Sequence, residues 1–219
     1  MKKWMLFAAM CLLSMTASAK DGKGTSNLNV AFLPFGNMEV KMAHNKKKED
    51  GSYRFYYKDL VGGSLAYEYK MDKWRVMPEF SYYTAKYDEF STEDKATFLD
   101  NWIYDKSGNI QPAAEDNINI FKFMIWLGYT IKLDPNNRFQ LPIYFGAGYA
   151  AISGSDITKY AGVDFGLRVR LKGYITNTFG LFAGYTVDWA LGEGNKDFKF
   201  DVNNLANFSY PEVGVTFSF

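Results

Sequence analysis

Alternate residues change character along eight successive stretches of this chain, roughly 27–42, 61–71, 75–88, 117–133, 139–153, 156–172, 178–191 and 208–219. Period-2 alternation calls for extended strands, because an α-helix cannot send odd and even positions to two opposite faces. The sixth stretch shows it best. Ala161, Val163, Phe165, Leu167, Val169 and Leu171 form one face, and Gly162, Asp164, Gly166, Arg168, Arg170 and Lys172 form the other. The last stretch repeats it, with Val213, Val215, Phe217 and Phe219 against Glu212, Gly214, Thr216 and Ser218. Aromatic residues make up 18% of the 219 positions, a bias that suits strands.

Alternation does not say which face looks inward, but the glycines do. Gly62, Gly128, Gly146, Gly148, Gly162, Gly166, Gly180, Gly184 and Gly214 lie on the polar face, and only Gly36 and Gly63 fall on the apolar one. Glycine weakens a strand, and a solvated outer face gains nothing from it. A small barrel interior is crowded and needs small residues beside large ones. Counting back from the turns sets Trp126 opposite Gly146 and Tyr83 opposite Gly62. The polar face is therefore inside and the apolar face outside, which is the arrangement of a barrel in lipid. Trp126, Met124, Phe182, Tyr144 and Leu33 also point inward by this count. The first stretch is irregular, with Pro34 and Gly36 on its lipid face, and proline in a sheet implies a bulge.

The connections alternate between long (about 43–60, 89–116, 192–207) and short (Met71 to Trp74, Asp134 to Arg138, Gly173 to Asn177), apart from a Gly154-Ser155 link. Asp134-Pro135-Asn136-Asn137 is good turn chemistry. Short turns on one side and long loops on the other, with both termini on the short side, describe an outer-membrane barrel.

Residues 1–19, MKKWMLFAAMCLLSMTASA, read as a cleaved signal peptide: Lys2 and Lys3, an apolar stretch from Trp4 to Met15, and the small-residue exit Ala17-Ser18-Ala19. The apolar stretch is shorter than the roughly 20 residues a membrane helix takes. Cys11 is preceded by Met10 rather than a small residue, which argues against a lipoprotein. Cleavage leaves one domain, 20–219, without the chain's only cysteine, and so excludes thiolate metal sites, cysteine nucleophiles and disulfides. Losing Lys2 and Lys3 takes the net charge from +1 to −1, which gives no support to nucleic-acid binding.

The eight stretches and the terminal Gly214-Val215-Thr216-Phe217-Ser218-Phe219 resemble the small eight-stranded outer-membrane barrels of the OmpA/OmpX type and the broader porin-like outer-membrane β-barrel domain family. The resemblance implies an all-β, eight-stranded antiparallel up-and-down transmembrane β-barrel in a Gram-negative outer membrane. It also gives Phe219 the role of a C-terminal aromatic signal read by the outer-membrane barrel assembly machinery. Tyr67, Tyr69, Tyr82, Tyr129, Tyr149 and Trp189 fit interfacial girdles.

The inward face collects Glu39, Glu68, Glu79, Asp164, Asp188 and Glu212, together with Lys41, Lys70, Arg75, Lys122, Arg168 and Arg170. Rings of charge can set the selectivity of a pore, but eight strands enclose little more than room for side chains. The expectation is an interior salt-bridge network that plugs the barrel. His44 is the only histidine; with Ser52, Ser91 or Asp88 it forms a formal candidate for a rim enzyme acting on lipid, without a local motif. Lys46-Lys47-Lys48 is suited to lipopolysaccharide phosphates or simply to water. The 89–116 loop is acidic, without Ca²⁺-loop spacing, and its Phe98, Trp102, Ile103 and Tyr104 suit an added hairpin or a partner's contact patch. No catalytic, cofactor or metal residues are assigned. The leading expectation is a monomeric structural or surface-interaction protein, its partners outer-membrane lipid, lipopolysaccharide and a loop ligand the sequence does not name. The alternatives are a narrow porin-like channel and a lipid-modifying enzyme using His44.

Overall fold

The computed structural model describes residues 26–43, 52–92, 117–153, 160–193 and 205–219. Nine strands run through them: β1 (Ser26–Leu33), β2 (Asn37–Ala43), β3 (Ser52–Met71), β4 (Trp74–Thr92), β5 (Asn117–Lys132), β6 (Phe139–Ser153), β7 (Tyr160–Tyr174), β8 (Phe179–Glu193) and β9 (Leu205–Ser218). β1 and β2 are the two halves of one barrel strand, since both pair with β3 on one side and β9 on the other. Every pairing is antiparallel, and β1–β9 closes the ring, giving an eight-stranded up-and-down barrel. Ser26 and Phe219 exchange backbone hydrogen bonds of 3.1 and 3.0 Å where the chain ends meet.

The exterior is apolar over a broad band. Phe80, Phe123, Ile125, Leu127, Phe145, Leu167, Leu171 and Leu181 are among the exposed large side chains, while Arg168, Arg170 and Lys172 between them are buried. Only lipid accommodates such a surface, and the strand periodicity is met with its polar face inward. Trp126 does face Gly146, and Tyr83 faces Gly62. A Cβ on Gly146 would stand 2.4 Å from the Trp126 ring, so the indole occupies the space glycine leaves. For the same reason Leu167→Arg is expected to cost about 2–4 kcal/mol near the midplane. Thr186→Ser, which keeps the hydroxyl that accepts from Arg168 Nε, should cost much less. Folding equilibria in lipid vesicles check this, and equal losses would contradict the assignment of faces.

Three features depart from the sequence-based expectations. β3 begins at Ser52 and β4 runs to Thr92, so part of the expected 43–60 and 89–116 connections is strand. Gly36 faces the lumen, where a Cβ would meet Tyr210 Cβ at 2.7 Å. Beyond it Met38 and Val40 are buried inside, which turns Glu39 and Lys41 to the exterior rather than the lumen. The cause is the bulge at Pro34–Gly36, which adds one residue and reverses the phase of everything after it. β3 makes the matching adjustment at Lys58–Asp59, where Asp59 takes φ 52°, and Leu60 N–H donates to the Gly36 carbonyl across the gap at 3.1 Å.

The closure of the ring counts that extra residue. A walk around the ring through paired residues runs Val30, Leu65, Phe80, Phe123, Tyr149, Val163, Leu191, Leu205 and back to the starting strand at Lys41, eleven positions beyond Val30. Each step joins residues on the same face, so the return must also land on that face. Eleven is odd, and a regular strand would put Lys41 inside. The Pro34–Gly36 bulge restores the match.

Candidate functional site: the filled lumen and its ends

The lumen is stacked in tiers. At the end bearing the short turns, Glu68 accepts from Asn27 Nδ2 at 2.7 Å, Tyr144 Oη at 2.6 Å and Lys172 Nζ at 2.6 Å, with Arg75 Nε at 3.7 Å. β3, β1, β6, β7 and β4 each supply one of these groups. Lys172 also donates to Asn29 Oδ1 at 3.2 Å.

The middle tier joins two arginines and two glutamates. Arg168 grips Glu79 with both terminal nitrogens, at 2.5 and 2.8 Å, and gives its Nε–H to Thr186 at 2.8 Å. Arg170 holds Glu212 through Nε and Nη2 at 2.5 and 2.9 Å, and reaches Glu79 at 3.4 Å. Arg168 is stacked on Trp126 at 4.1 Å and Arg170 on Phe182 at 4.5 Å. Planar guanidinium groups suit this, since one face can stack while the edge forks onto a carboxylate. Ser81 completes Glu79 with a hydroxyl at 3.1 Å.

Above it Lys122 sits 2.6 Å from both Asp164 and Asp188 and 4.3 Å from the centre of the Phe208 ring. Tyr210 donates to Asp188 at 3.1 Å, and Tyr83 donates to Tyr210 at 3.4 Å. Removing these ions from water is costly, and the mutual pairing with added hydrogen bonds is what offsets it.

Beyond Lys122 the lumen turns apolar. Leu33, Met38, Val40, Phe55, Tyr57, Leu60, Ile118, Ile120, Ile152 and Phe208 belong to one buried cluster. At the same level the exterior turns polar: Asn37, Lys58, Asp59, Lys86, Asp88 and Asn117 are exposed. β5 alone shows the exchange, with Phe121 and Phe123 outside and Lys122 inside, then Asn117 outside and Ile118 and Ile120 inside. The lower barrel is ordered as a lipid-embedded protein, and the upper barrel as a water-soluble one with its own hydrophobic core. The sequence reading did not anticipate this second core. Its signal was present in Phe55 and Tyr57 against Tyr56 and Lys58, and in Ile118 and Ile120 against Asn117 and Asn119.

Of the sequence-derived candidates, Glu68, Glu79, Asp164, Asp188, Glu212, Arg75, Lys122, Arg168 and Arg170 converge in this network, and Lys70 stands at its lower edge. Glu39 and Lys41 do not join it. His44, Lys46-Lys47-Lys48, residues 1–19, the Gly154-Ser155 link and the Phe98, Trp102, Ile103 and Tyr104 group lie outside the described residues. Of His44's formal partners, Ser52 and Ser91 lie on the backbones of β3 and β4, and Asp88 is paired with Lys58 at 2.5 Å. Among the described residues no group of three or more His, Cys, Asp and Glu side chains is placed to hold a metal ion. At the short-turn end, the Asp134 carboxylate accepts the Phe139 N–H at 2.6 Å, and such backbone hydrogen bonds hold its pKa below the usual value.

No family model matches the chain, and no curated protein is similar to it. Among solved structures, a major outer membrane protein from Thermus thermophilus superposes with a TM-score of 0.52 at 13% identity, covering 90% of this chain and 99% of that one. Neisserial surface protein A gives a TM-score of 0.47 at 13% identity, covering 90% and 98%. Ail, the attachment invasion locus protein of Yersinia pestis, gives 0.47 at 12% identity, covering 90% and 99%. The likeness to the Thermus protein is one of fold: the chain shares the closed antiparallel barrel of small outer-membrane proteins.

Proposed function

We propose that this chain is an outer-membrane protein of structural or surface-interaction type, a closed barrel that holds the segments between its strands at the cell surface. The observation that carries this reading is the lumen, sealed first by the Glu79–Arg168–Arg170–Glu212 tier and then by the apolar core around Leu33, Met38, Ile120 and Phe208. Trp126, Arg168, Arg170, Tyr57, Tyr83 and Tyr144 rank among its largest fully buried side chains, leaving an eight-stranded cylinder no room for a file of solutes. The inverted upper barrel stands in water above the lipid and raises the loops clear of the membrane surface. The short-turn end and both termini face the periplasm, and residues 1–19 serve export as a cleaved signal peptide. The proposed partners are outer-membrane lipid and lipopolysaccharide, with the loops free to engage an extracellular ligand; no catalytic step is assigned.

Planar-bilayer recording on the refolded protein tests it. No steady current is expected, and a stable unitary conductance would instead establish a channel.

Assembly is the second consequence. The Phe219 backbone closes the ring with Ser26, and its ring, 6.3 Å from Tyr67, remains half exposed. It is thus available to the assembly machinery as well as to the fold. Deleting Phe219 is expected to lower surface levels several-fold, measured by surface labelling, whereas deleting one residue of the 93–116 segment should not. Unchanged levels for the Phe219 deletion would remove the recognition role.

A further inference from the structure

The short-turn end of the barrel carries a recess of about 250 Å³ lined by Lys70, Asn137, Arg138, Gln140, Tyr174 and Thr176, with Ser218 at its edge. Its lining contains two cations and no carboxylate, and the Asp134 carboxylate of the adjoining turn lies close enough to Arg138 to interact with it. The network beneath does not neutralise Lys70: Lys70, Arg75 and Lys172 surround the single carboxylate of Glu68, and Lys172 is the one that takes it at 2.6 Å. Lys70 forms no ion pair among the described residues. Its Nζ donates to the Tyr174 hydroxyl at 3.2 Å and lies 5.2 Å from the centre of that ring.

The middle tier is balanced, two arginines against two glutamates, and the Lys122 tier carries one cation against two aspartates. Among the described lumen tiers, positive charge is therefore in excess only at the short-turn end.

We infer that this recess binds the C-terminal carboxylate of a peptide at the periplasmic mouth of the barrel. Lys70 and Arg138 supply the charge, and the Tyr174 hydroxyl and Asn137 Nδ2 supply directional donors; Gln140, whose Nε2 donates to the Asn137 carbonyl and Oδ1 at 3.1 and 3.2 Å, offers its Oε1 to a peptide N–H. A forked guanidinium and an ammonium together complement a carboxylate. The neutral amides favour a ligand with peptide groups of its own over a bare inorganic anion. The periplasmic placement rests on the function proposed above, while the recess and its charge do not.

The test is a titration of the full mature chain, refolded in micelles and followed by backbone amide NMR, with acetyl-alanyl-alanine, its C-terminal amide and inorganic phosphate. Saturable shifts at Asn137, Arg138, Tyr174 and Thr176 are expected for the free carboxylate. Binding should weaken about tenfold in Lys70→Gln and in Arg138→Gln, with strand resonances elsewhere unmoved. Absence of saturable shifts, or equal shifts with the blocked peptide, would overturn the inference. Phosphate binding as tightly as the peptide would overturn its peptide assignment. None of these outcomes bears on conductance, so failure here is distinguishable from failure of the surface-protein reading.

Discussion

Refolded into lipid, Glu79→Gln and Arg168→Met are each expected to lose about 3–5 kcal/mol of stability, and the double variant to lose clearly less than the two losses combined. The reason lies in what each single change strands. Arg168→Met leaves a buried Glu79 with the Ser81 hydroxyl and a distant Arg170 nitrogen at 3.4 Å. Glu79→Gln leaves Arg168, stacked on Trp126 and fully enclosed, with a neutral acceptor where it had a bidentate anion. Removing both takes away one charge of each sign and leaves Arg170 and Glu212 paired as before. A denaturant titration of the four proteins in the same vesicles measures the cycle. Losses that add would mean that Arg168 and Glu79 are held independently, and the forked contact would then contribute little beyond packing.

Nearly as large an effect is expected where the barrel exchanges its polarity. Val40→Glu places a carboxylate among Phe55, Ala206 and the upper core, with no cation on the adjoining inward positions, and is expected to cost about 3 kcal/mol or more. Lys41→Glu, one residue on, changes a partly exposed exterior side chain and should cost below about 1 kcal/mol. Had the strand been regular, the ranking would be the reverse, with Val40 on the exterior and Lys41 in the lumen. Thermal unfolding of both variants, followed by gel mobility of the folded barrel, distinguishes the two arrangements.

That pair of residues also marks where the sequence stopped being legible. In β5 to β9 each strand keeps one phase throughout, so face, register and the contact of Trp126 with Gly146 followed from alternation and glycine placement alone. In β1 to β4 the phase changes within the strand. Pro34 announced a bulge, but a bulge is a count of one residue, and that count is fixed by pairing with β3 and β9 rather than by anything local. The start of β3 at Ser52 was hidden for the same reason, since Lys58-Asp59 breaks the alternation and reads as loop. The ionic network was legible as a set of inward charges. Its partners were not, because which cation meets which carboxylate depends on strand stagger across the lumen. The upper core escaped notice because Phe55, Ile118 and Ile120 were read under a rule, polar inside, that holds only at lipid depth.

The odd walk around the ring bears on how such a chain can change length over evolutionary time. Strand residues here obey a conservation rule of evenness: inserting or removing one residue within any strand turns the remainder of that strand inside out, unless a bulge absorbs it or a second one-residue change on the same strand cancels it. The segments joining the strands at the long-loop end are under no such constraint, because they lie outside every closed path. Length variation among homologues is therefore expected as arbitrary changes between strands, and within them as cancelling pairs or as single residues absorbed at bulges. A homologue lacking the extra residue at Pro34–Gly36 would return after ten positions, an even count that closes on the same face with no bulge in that strand and the same tilt and bore.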